Sequence, residues 1–290
     1  MKKTIFSLLL ATPLICQAAS PEIHEIRAYK GSLANQEIHM TLVNDGEKIN
    51  GEYFYRKYKT PISFQGSIID STLSLTESTD RGKAYIKANI SGNKIEGEWK
   101  NKNKSYEIHA QALSNSYKDL VTDIIIGGET NRELKVIFKN GIIQYFSIDP
   151  LTSRPLIIFE DFTFDGQPDM RILELETSGN SSFSYFEYKS ERKRFISASP
   201  EISNLVSPRI LHHEKTILSI SRDGCCLYQA QKIQPNEYRL AEYDYDSKSG
   251  HEQIENLETK EKSSKPINKY YFEQNYLKLI GIGANDKKQP

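Results

Sequence analysis

The chain has 290 residues and equal numbers of acidic and basic side chains, which gives a formal net charge of zero at pH 7. This balance argues against a nucleic-acid partner, because affinity for the phosphate backbone requires a surplus of lysine and arginine. A length well above that of a typical domain of about 100 to 150 residues predicts two domains.

Residues 1–19 have the pattern of a secretory signal peptide. Two lysines precede an apolar run over residues 5–15, and cleavage is equally compatible with the small residues Ala18 and Ala19. The short basic start is typical of bacterial export, which predicts a periplasmic protein. Beyond this segment no stretch reaches the roughly 18 uncharged apolar residues of a transmembrane helix, so we expect no stable membrane anchor.

The rest of the sequence has the pattern of β-strands. Short runs rich in β-branched and aromatic residues recur between turn dipeptides. These dipeptides are Asp45-Gly46, Gly92-Asn93, Asn140-Gly141, Gly179-Asn180 and Asp223-Gly224. Strands at this spacing are typical of sandwiches, barrels and propellers, so we predict an all-β fold. Residues 250–265 are predicted to form a short helix or a solvated loop.

An internal repeat marks the first domain. Residues 39–53, HMTLVNDGEKINGEY, align without gaps to residues 85–99, YIKANISGNKIEGEW. Each copy is typical of a hairpin followed by a strand that contains a glycine, Gly51 or Gly97. A glycine inside a strand indicates a bend or bulge, as at the corner of a barrel.

The aromatic residue that ends each copy, Tyr53 or Trp99, is expected to pack in the core. The preceding Glu52 and Glu98 are the residue type of a glycosidase pair, but a repeated position beside a core aromatic is more simply an outward-facing one. The repeat predicts an N-terminal antiparallel domain over residues 20–115, either a β-barrel-like domain or a β-sheet.

The two cysteines outside the signal peptide, Cys225 and Cys226, are adjacent. Neighbours on a regular strand point to opposite faces and cannot bond, whereas a turn at Asp223-Gly224 would permit a disulfide between them. No Cys-x-x-Cys spacing is present. We therefore expect a structural role, either as this disulfide or as buried thiols.

The stretch IIFEDFTFDGQPDMRILEL, residues 157–175, suggests a calcium loop between two strands. Oxygen-bearing side chains stand at alternate positions around Gly166. They are Asp161, Thr163, Asp165, Gln167 and Asp169. Calcium prefers such oxygen ligands, and Ile172 replaces the glutamate that would complete a helix-flanked loop, which predicts a strand-flanked, structural site of weak affinity. The alternative is an acidic turn in which Asp161 and Asp165 bond to the backbone.

Motifs of catalysis are missing from the sequence. Nucleophile elbows, phosphate loops, zinc spacings and dinucleotide fingerprints do not occur. His212 and His213 are adjacent, and on a strand they would face opposite ways rather than share a metal. We therefore expect a protein that is not an enzyme.

The stretch FEDFTFDGQPDMRILEL, followed by FSYFEYKSERKRF, SPEISNL and ILSISRDG, resembles a family of bacterial periplasmic proteins. Members carry one strand-flanked calcium loop in a β-propeller-like domain, and they include immunity proteins that inhibit lysozyme-like peptidoglycan hydrolases. The resemblance covers roughly residues 150–245. It implies a propeller-like domain over residues 116–290, with the calcium loop at 161–169. Family members usually have an aromatic residue where this chain has Gln167.

Two functions follow from these observations. The resemblance implies a non-enzymatic inhibitor or immunity protein whose partner is a lysozyme-like peptidoglycan hydrolase. The alternative is a calcium-stabilised periplasmic protein that binds glycans or peptidoglycan through exposed aromatics. Clusters such as YFYRKYK, residues 53–59, mix aromatic and charged side chains, but they are more simply strand cores with polar outer faces and give this alternative only weak support.

Overall fold

Eight consecutive antiparallel strands close into a barrel. The computed structural model describes residues 20–46, 48–79, 82–128, 132–149, 154–177 and 180–280, so the signal-peptide prediction lies outside the described residues. The barrel strands are β1 (Glu22–Leu33), β2 (Gln36–Asn44), β3 (Ile49–Tyr55), β4 (Ile62–Ile69), β5 (Thr72–Thr79), β6 (Gly82–Ser91), β7 (Lys94–Lys100) and β8 (Ser105–Ala112). Each strand pairs with the next, and β8 pairs back onto β1.

The barrel is filled by the inward-facing side chain of every second residue. Its core joins aliphatic side chains from all eight strands to Tyr53, which is 1% exposed. Trp99 is half-buried and packs against the same core. Both aromatics of the repeat therefore occupy the interior side of the barrel wall, as the sequence predicts.

Glycine is required at positions where neighbouring barrel strands approach closely. A Cβ atom on Gly97 would lie 2.3 Å from the carbonyl oxygen of Lys87 and 2.4 Å from the Cα atom of Ala88. A Cβ atom on Gly51 would lie 2.1 Å from the carbonyl oxygen of Thr41. The two repeated glycines thus occupy equivalent close approaches, on β7 and on β3.

A three-stranded sheet and an extension of the barrel sheet follow. The three-stranded sheet contains β9 (Val121–Gly127), β10 (Glu133–Phe138) and β11 (Ile143–Ser147). The extension contains β12 (Leu156–Glu160), β13 (Asp169–Glu176), β14 (Ser181–Lys189) and β15 (Arg194–Ser197). β12 pairs in parallel with the first half of β1, so the extension continues the barrel sheet. Apolar side chains from both sheets form one shared core.

The last part of the described chain is a six-stranded antiparallel sheet. Its strands are β16 (Arg209–Leu211), β17 (Thr216–Asp223), β18 (Leu227–Gln234), β19 (Glu237–Asp244), β20 (Ser249–Asn256) and β21 (Lys262–Ile267). A short helix, α1 (Pro200–Ser203), precedes it, and a second, α2 (Lys269–Phe272), continues in further helical turns to Ile280. These turns pack Phe272 and Tyr276 into the core of the sheet.

Residues 250–265 lie in the hairpin of β20 and β21, so the prediction of a helix or a solvated loop was wrong. The sequence of this segment suggested a solvated loop because its most buried residue, Glu252, is charged. Its carboxylate accepts hydrogen bonds from the hydroxyls of Tyr271 and Tyr276 and lies 3.1 Å from the Lys265 ammonium. Buried charge is tolerated where such partners are present.

The described residues confirm an all-β fold with a closed antiparallel barrel. They do not show the propeller-like arrangement expected for residues 116–290, since a propeller needs at least four similar blades around one axis. The sheets found there have three, four and six strands. Within the described ranges no helix is both long enough and apolar enough to cross a membrane.

The close approach at Gly97 gives a test of the barrel geometry. Replacing Gly97 by alanine should lower the free energy of unfolding by about 1 to 3 kcal/mol, because the new methyl group overlaps the backbone of β6. Urea unfolding measures this difference. Gly127→Ala is the matched control, since a Cβ atom there meets nothing within 4 Å. Equal stability of Gly97→Ala and wild type would contradict the proposed contact.

Candidate functional site

The acidic loop, residues 161–169, connects β12 to β13. Asp169 anchors this loop from inside. Asp169 is fully buried, and its Oδ2 accepts hydrogen bonds from the backbone N–H groups of Phe162 (3.1 Å) and Thr163 (3.0 Å) and from the Thr163 hydroxyl (2.9 Å). Its Oδ1 accepts a hydrogen bond from the backbone N–H of Tyr188, at 2.9 Å. One carboxylate therefore joins both ends of the loop to the neighbouring strand β14.

Asp161 and Asp165 shape the turn of the loop. The Asp161 carboxylate accepts hydrogen bonds from the backbone N–H groups of Asp165 (3.2 Å) and Gly166 (3.0 Å). Asp165 accepts one from the backbone N–H of Gln167, at 2.8 Å. These are the side-chain-to-backbone bonds of the acidic-turn alternative. Phe164 and Gly166 adopt positive φ angles of 60° and 85°, which permits the tight turn.

The loop is attached to the barrel through Asn115. The backbone N–H of Asn115 donates to the carbonyl oxygen of Gly166 at 2.9 Å, and its side-chain amide donates to Gln167 Oε1 at 3.4 Å. Asn93, in the turn between β6 and β7, donates to Asn115 Oδ1 at 2.9 Å. The linker between the barrel and β9 therefore fixes the loop against one end of the barrel.

Burial raises the pKa values of two loop carboxyls. The pKa of Asp169 rises to about 8 and that of Asp161 to about 6, in each case mainly because burial removes water from the charged form. Hydrogen bonds from Tyr188 on β14 and from the loop itself act in the opposite direction and only partly offset this effect. An acid whose pKa rises on folding lowers the free energy of unfolding as the pH rises through the interval between its two pKa values.

The three carboxylates of the predicted calcium loop do not lie together as one close cluster. Among the described residues, the carboxylates of Asp161, Asp165 and Asp169 do not belong to any group of three whose ligand atoms lie within 4.8 Å of one another. The Thr163 hydroxyl donates a hydrogen bond to Asp169, and Asp165 accepts one from the backbone of Gln167 through a single oxygen. Calcium binding at this loop stays a prediction.

A second feature lies beside the loop, in a cleft between the barrel wall and residues 208–214. The cleft has a volume of about 510 Å³. Within it, Glu160 and Arg171 form a buried ion pair at 2.7 Å, and His212 Nε2 lies 3.4 Å from the other Glu160 oxygen. These residues flank the acidic loop on β12 and β13, so the cleft and the loop share one support.

His212 and His213 lie in a helical turn rather than on the predicted strand, yet they point apart as expected. His213 stacks on His39 of the barrel, with ring centroids 3.7 Å apart, whereas His212 contacts Glu160. Burial lowers the pKa of His212 and lowers that of His213 to about 3. These pKa shifts reduce stability as the pH falls below 6.5, which opposes the effect of the loop carboxyls.

Glu52 and Glu98 are not a catalytic pair. Three strands separate β3 from β7 in the barrel, and each glutamate has its own partner. Glu52 lies 3.5 Å from Arg209, and the exposed Glu98 accepts a hydrogen bond from the Ser105 hydroxyl. Both are outward-facing, which agrees with the simpler interpretation of the repeat.

The cysteines are joined as Cys225–Cys226 in the turn between β17 and β18. The carbonyl oxygen of Cys226 accepts a hydrogen bond from the backbone N–H of Tyr245, and that of Cys225 accepts one from Arg222. Asp246 lies close enough to the two sulfurs to complete a possible metal-ligand group. The disulfide removes the thiolates that a metal would need.

The end of the barrel opposite the acidic loop carries a cavity, which the sequence did not predict as one site. There Tyr55 and Tyr58 border a cavity of about 550 Å³, together with Gln36, Glu37, Arg56 and Lys57. The run YFYRKYK contains this combination of aromatic and charged residues, but Gln36 and Glu37 of β2 come from elsewhere in the sequence. We call this end of the barrel the aromatic end. It is the end at which β1 continues into β2, β3 into β4 and β7 into β8.

Comparison of the chain with protein-family models, curated proteins and solved structures gave no match. Its function must therefore be inferred from its own residues.

The raised pKa of Asp169 predicts a pH-dependent stability. In the presence of a chelator, lowering the pH from 8.5 to 7 should raise the free energy of unfolding by about 1 kcal/mol, because the buried carboxyl takes up a proton. Denaturant unfolding at the two pH values measures this change. Asp169→Asn should abolish it, whereas Asp165→Asn, at an exposed position, should retain it. A pH response that survives in Asp169→Asn would show that another group is responsible.

Proposed function

We propose that the protein is a non-enzymatic periplasmic binding protein that inhibits a lysozyme-like peptidoglycan hydrolase, as an immunity protein does. The observation that carries the proposal is the fixed shape of the acidic loop. Asp161 and Asp169 hold its backbone from inside, while Asp165 is exposed at its surface. A loop that is ordered before binding loses little conformational entropy on binding, which favours tight insertion into an enzyme cleft.

We further propose that Phe164 and Gln167 make the contact with the enzyme. The resembling family has an aromatic residue at the position of Gln167, and the aromatic that this loop offers instead is Phe164. Its side chain is half-buried, with its ring centroid 6.4 Å from that of His212. A partly exposed aromatic on an ordered backbone is a suitable anchor for a protein interface.

A second candidate function is glycan binding, and the aromatic end of the barrel favours it. Tyr58 is 60% exposed there, beside polar side chains that can bond to sugar hydroxyls. Exposed aromatic rings stack on the apolar faces of sugars, and the mouths of β-barrels are common ligand sites. The acidic loop lies at the opposite end of the barrel, so the two candidate functions use different surfaces.

Calcium is the cofactor that we propose for the loop, with a structural role. Its support is the cost of keeping Asp161 and Asp169 ionised in a buried place, which their raised pKa values express. A divalent cation would offset this cost and would hold Asp165 in the same cluster. The proposed inhibition does not require the ion to take part in any reaction.

Inhibition is tested with the mature protein against a panel of lysozyme-like muramidases, using turbidity of a cell-wall suspension. We expect inhibition of at least one enzyme, weakened at least ten-fold by Gln167→Lys or Asp165→Lys, since an unsuitable charge at the loop surface opposes docking. Glu98→Lys is the control, because Glu98 is exposed on the barrel wall. Absence of inhibition across the panel, or equal inhibition by the loop variants, contradicts the proposal.

Calcium is tested by calorimetric titration of the chelated protein, with the melting temperature followed in parallel. At 10 mM calcium and a Kd of about 1 mM, binding should stabilise the fold by about 1.4 kcal/mol. Asp165→Ala should remove the effect, and magnesium serves as the matched ion. If neither heat nor a shift in melting temperature appears at 10 mM, the loop is an acidic turn alone.

A further inference from the structure

Aromatic side chains replace aliphatic ones at the aromatic end of the barrel. Tyr55, Trp99 and Tyr106 follow the inward-facing positions of β3, β7 and β8. Tyr106 stacks on Trp99, with ring centroids 5.8 Å apart, and Tyr58 packs edge-on against Tyr55 at 6.4 Å. Both Tyr106 and Tyr58 are accessible, with exposed fractions of 36% and 60%. The end of the barrel is therefore covered by rings rather than by a layer of aliphatic side chains.

A buried carboxylate holds the Trp99 ring of this set in place. Glu77 is 3% exposed and accepts a hydrogen bond from the Trp99 indole N–H at 2.8 Å and another from the Tyr53 hydroxyl. The first bond sets the orientation of the indole, and the second holds the Glu77 carboxylate that accepts it. An aromatic surface whose orientation is fixed before binding loses little entropy when a ligand stacks on it.

The turns that surround the rings are strongly basic. The turn after β3 carries Arg56, Lys57 and Lys59, and the connection from β7 to β8 carries Lys102 and Lys104. All five side chains are exposed.

Glu37 at the edge of the same cavity offsets only part of this charge. Its carboxylate lies 2.8 Å from Arg56 and 3.1 Å from Lys30, and these contacts lower its pKa to about 2. Glu37 therefore keeps its negative charge at neutral pH, but it is one acidic group beside the five basic side chains of the two turns. A cavity with positive rim charges and low-dielectric walls attracts ligands of negative charge.

We infer that the aromatic end binds a saccharide that carries a carboxylate. The inference rests on the second proposed function, glycan binding, and names the class of glycan. The rings supply stacking surfaces for the apolar faces of the sugar, and Gln36 and Arg56 line the cavity with hydrogen-bonding groups. Lysines such as Lys57 and Lys102 supply the charge that separates an acidic sugar from a neutral one.

Trp99 provides a direct reporter, because it is the only tryptophan of the chain. Its fluorescence is measured during titration with two disaccharides of similar size: neutral N,N′-diacetylchitobiose, and N-acetylglucosaminyl-N-acetylmuramic acid, which adds a lactyl carboxylate. Inorganic triphosphate is the third probe, because it carries charge without a sugar ring. Calorimetry in parallel detects binding that leaves the indole spectrum unchanged.

The acidic disaccharide should produce a saturable change with a Kd at least ten-fold below that of the neutral one. Tyr58→Ala should weaken both sugars at least five-fold, because it removes a stacking face. Lys57→Gln should weaken only the acidic sugar. The matched controls are Tyr145→Ala and Lys139→Gln, which are exposed positions on the three-stranded sheet and its turn, and they should bind as wild type does.

Other outcomes separate this inference from the function on which it rests. Equal binding of the two disaccharides would overturn the acidic class and leave glycan binding in place. Triphosphate binding as tight as that of the acidic sugar would show that the lysines attract any anion, which overturns the inference. Absence of binding by either sugar, in both fluorescence and calorimetry, would overturn the inference and glycan binding together.

Discussion

The pairing of strand β1 with three other strands is the constraint on which the rest of the structure depends. The second half of β1 closes the barrel against β8, and the first half of β1 pairs in parallel with β12. Arg27, between the two halves, is buried and donates hydrogen bonds to Asn93 Oδ1 (2.6 Å) and to the carbonyl oxygen of Ser114 (2.8 Å). Asn93 bonds to Asn115, which bonds to the acidic loop. One buried guanidinium therefore helps to fix the position of the loop relative to the barrel.

The sequence predicts those parts of the fold that depend on neighbouring residues. Alternating apolar residues and Asx-Gly turns located the hairpins, and the repeated Gly51 and Gly97 indicated a curved barrel wall. The parallel pair of β1 and β12 could not be predicted, because local patterns do not say which distant strands pair. The prediction for residues 250–265 was wrong for a related reason. Glu252 is buried only because tyrosines from the C-terminal helical segment bond to it.

The same limit applies to the candidate site. The alternate spacing of oxygen-bearing side chains correctly located an ordered loop, because that spacing and Gly166 are properties of a few consecutive residues. It could not show whether those oxygens would face a cation or the loop's own N–H groups. Asp169 turns to the backbone of Thr163 and of Tyr188, and the second of these lies on another strand. The hydrogen bond from Tyr188 is a tertiary contact, and the spacing of the loop residues contains no information about it.

A net charge of zero also conceals how the charges are distributed. Lys57 and Lys102 lie at one end of the barrel and Asp165 lies in the loop fixed to the other, while β2 alone spans about 30 Å. Salt screens charges over about 8 to 10 Å, so each end acts on a partner by its own charge and not by the total. An enzyme cleft that accepts an acidic saccharide needs positive charge, as the aromatic end does. Such a positively charged cleft would also attract the acidic loop by charge complementarity. One class of glycan, the acidic saccharides, would thus connect the two proposed functions.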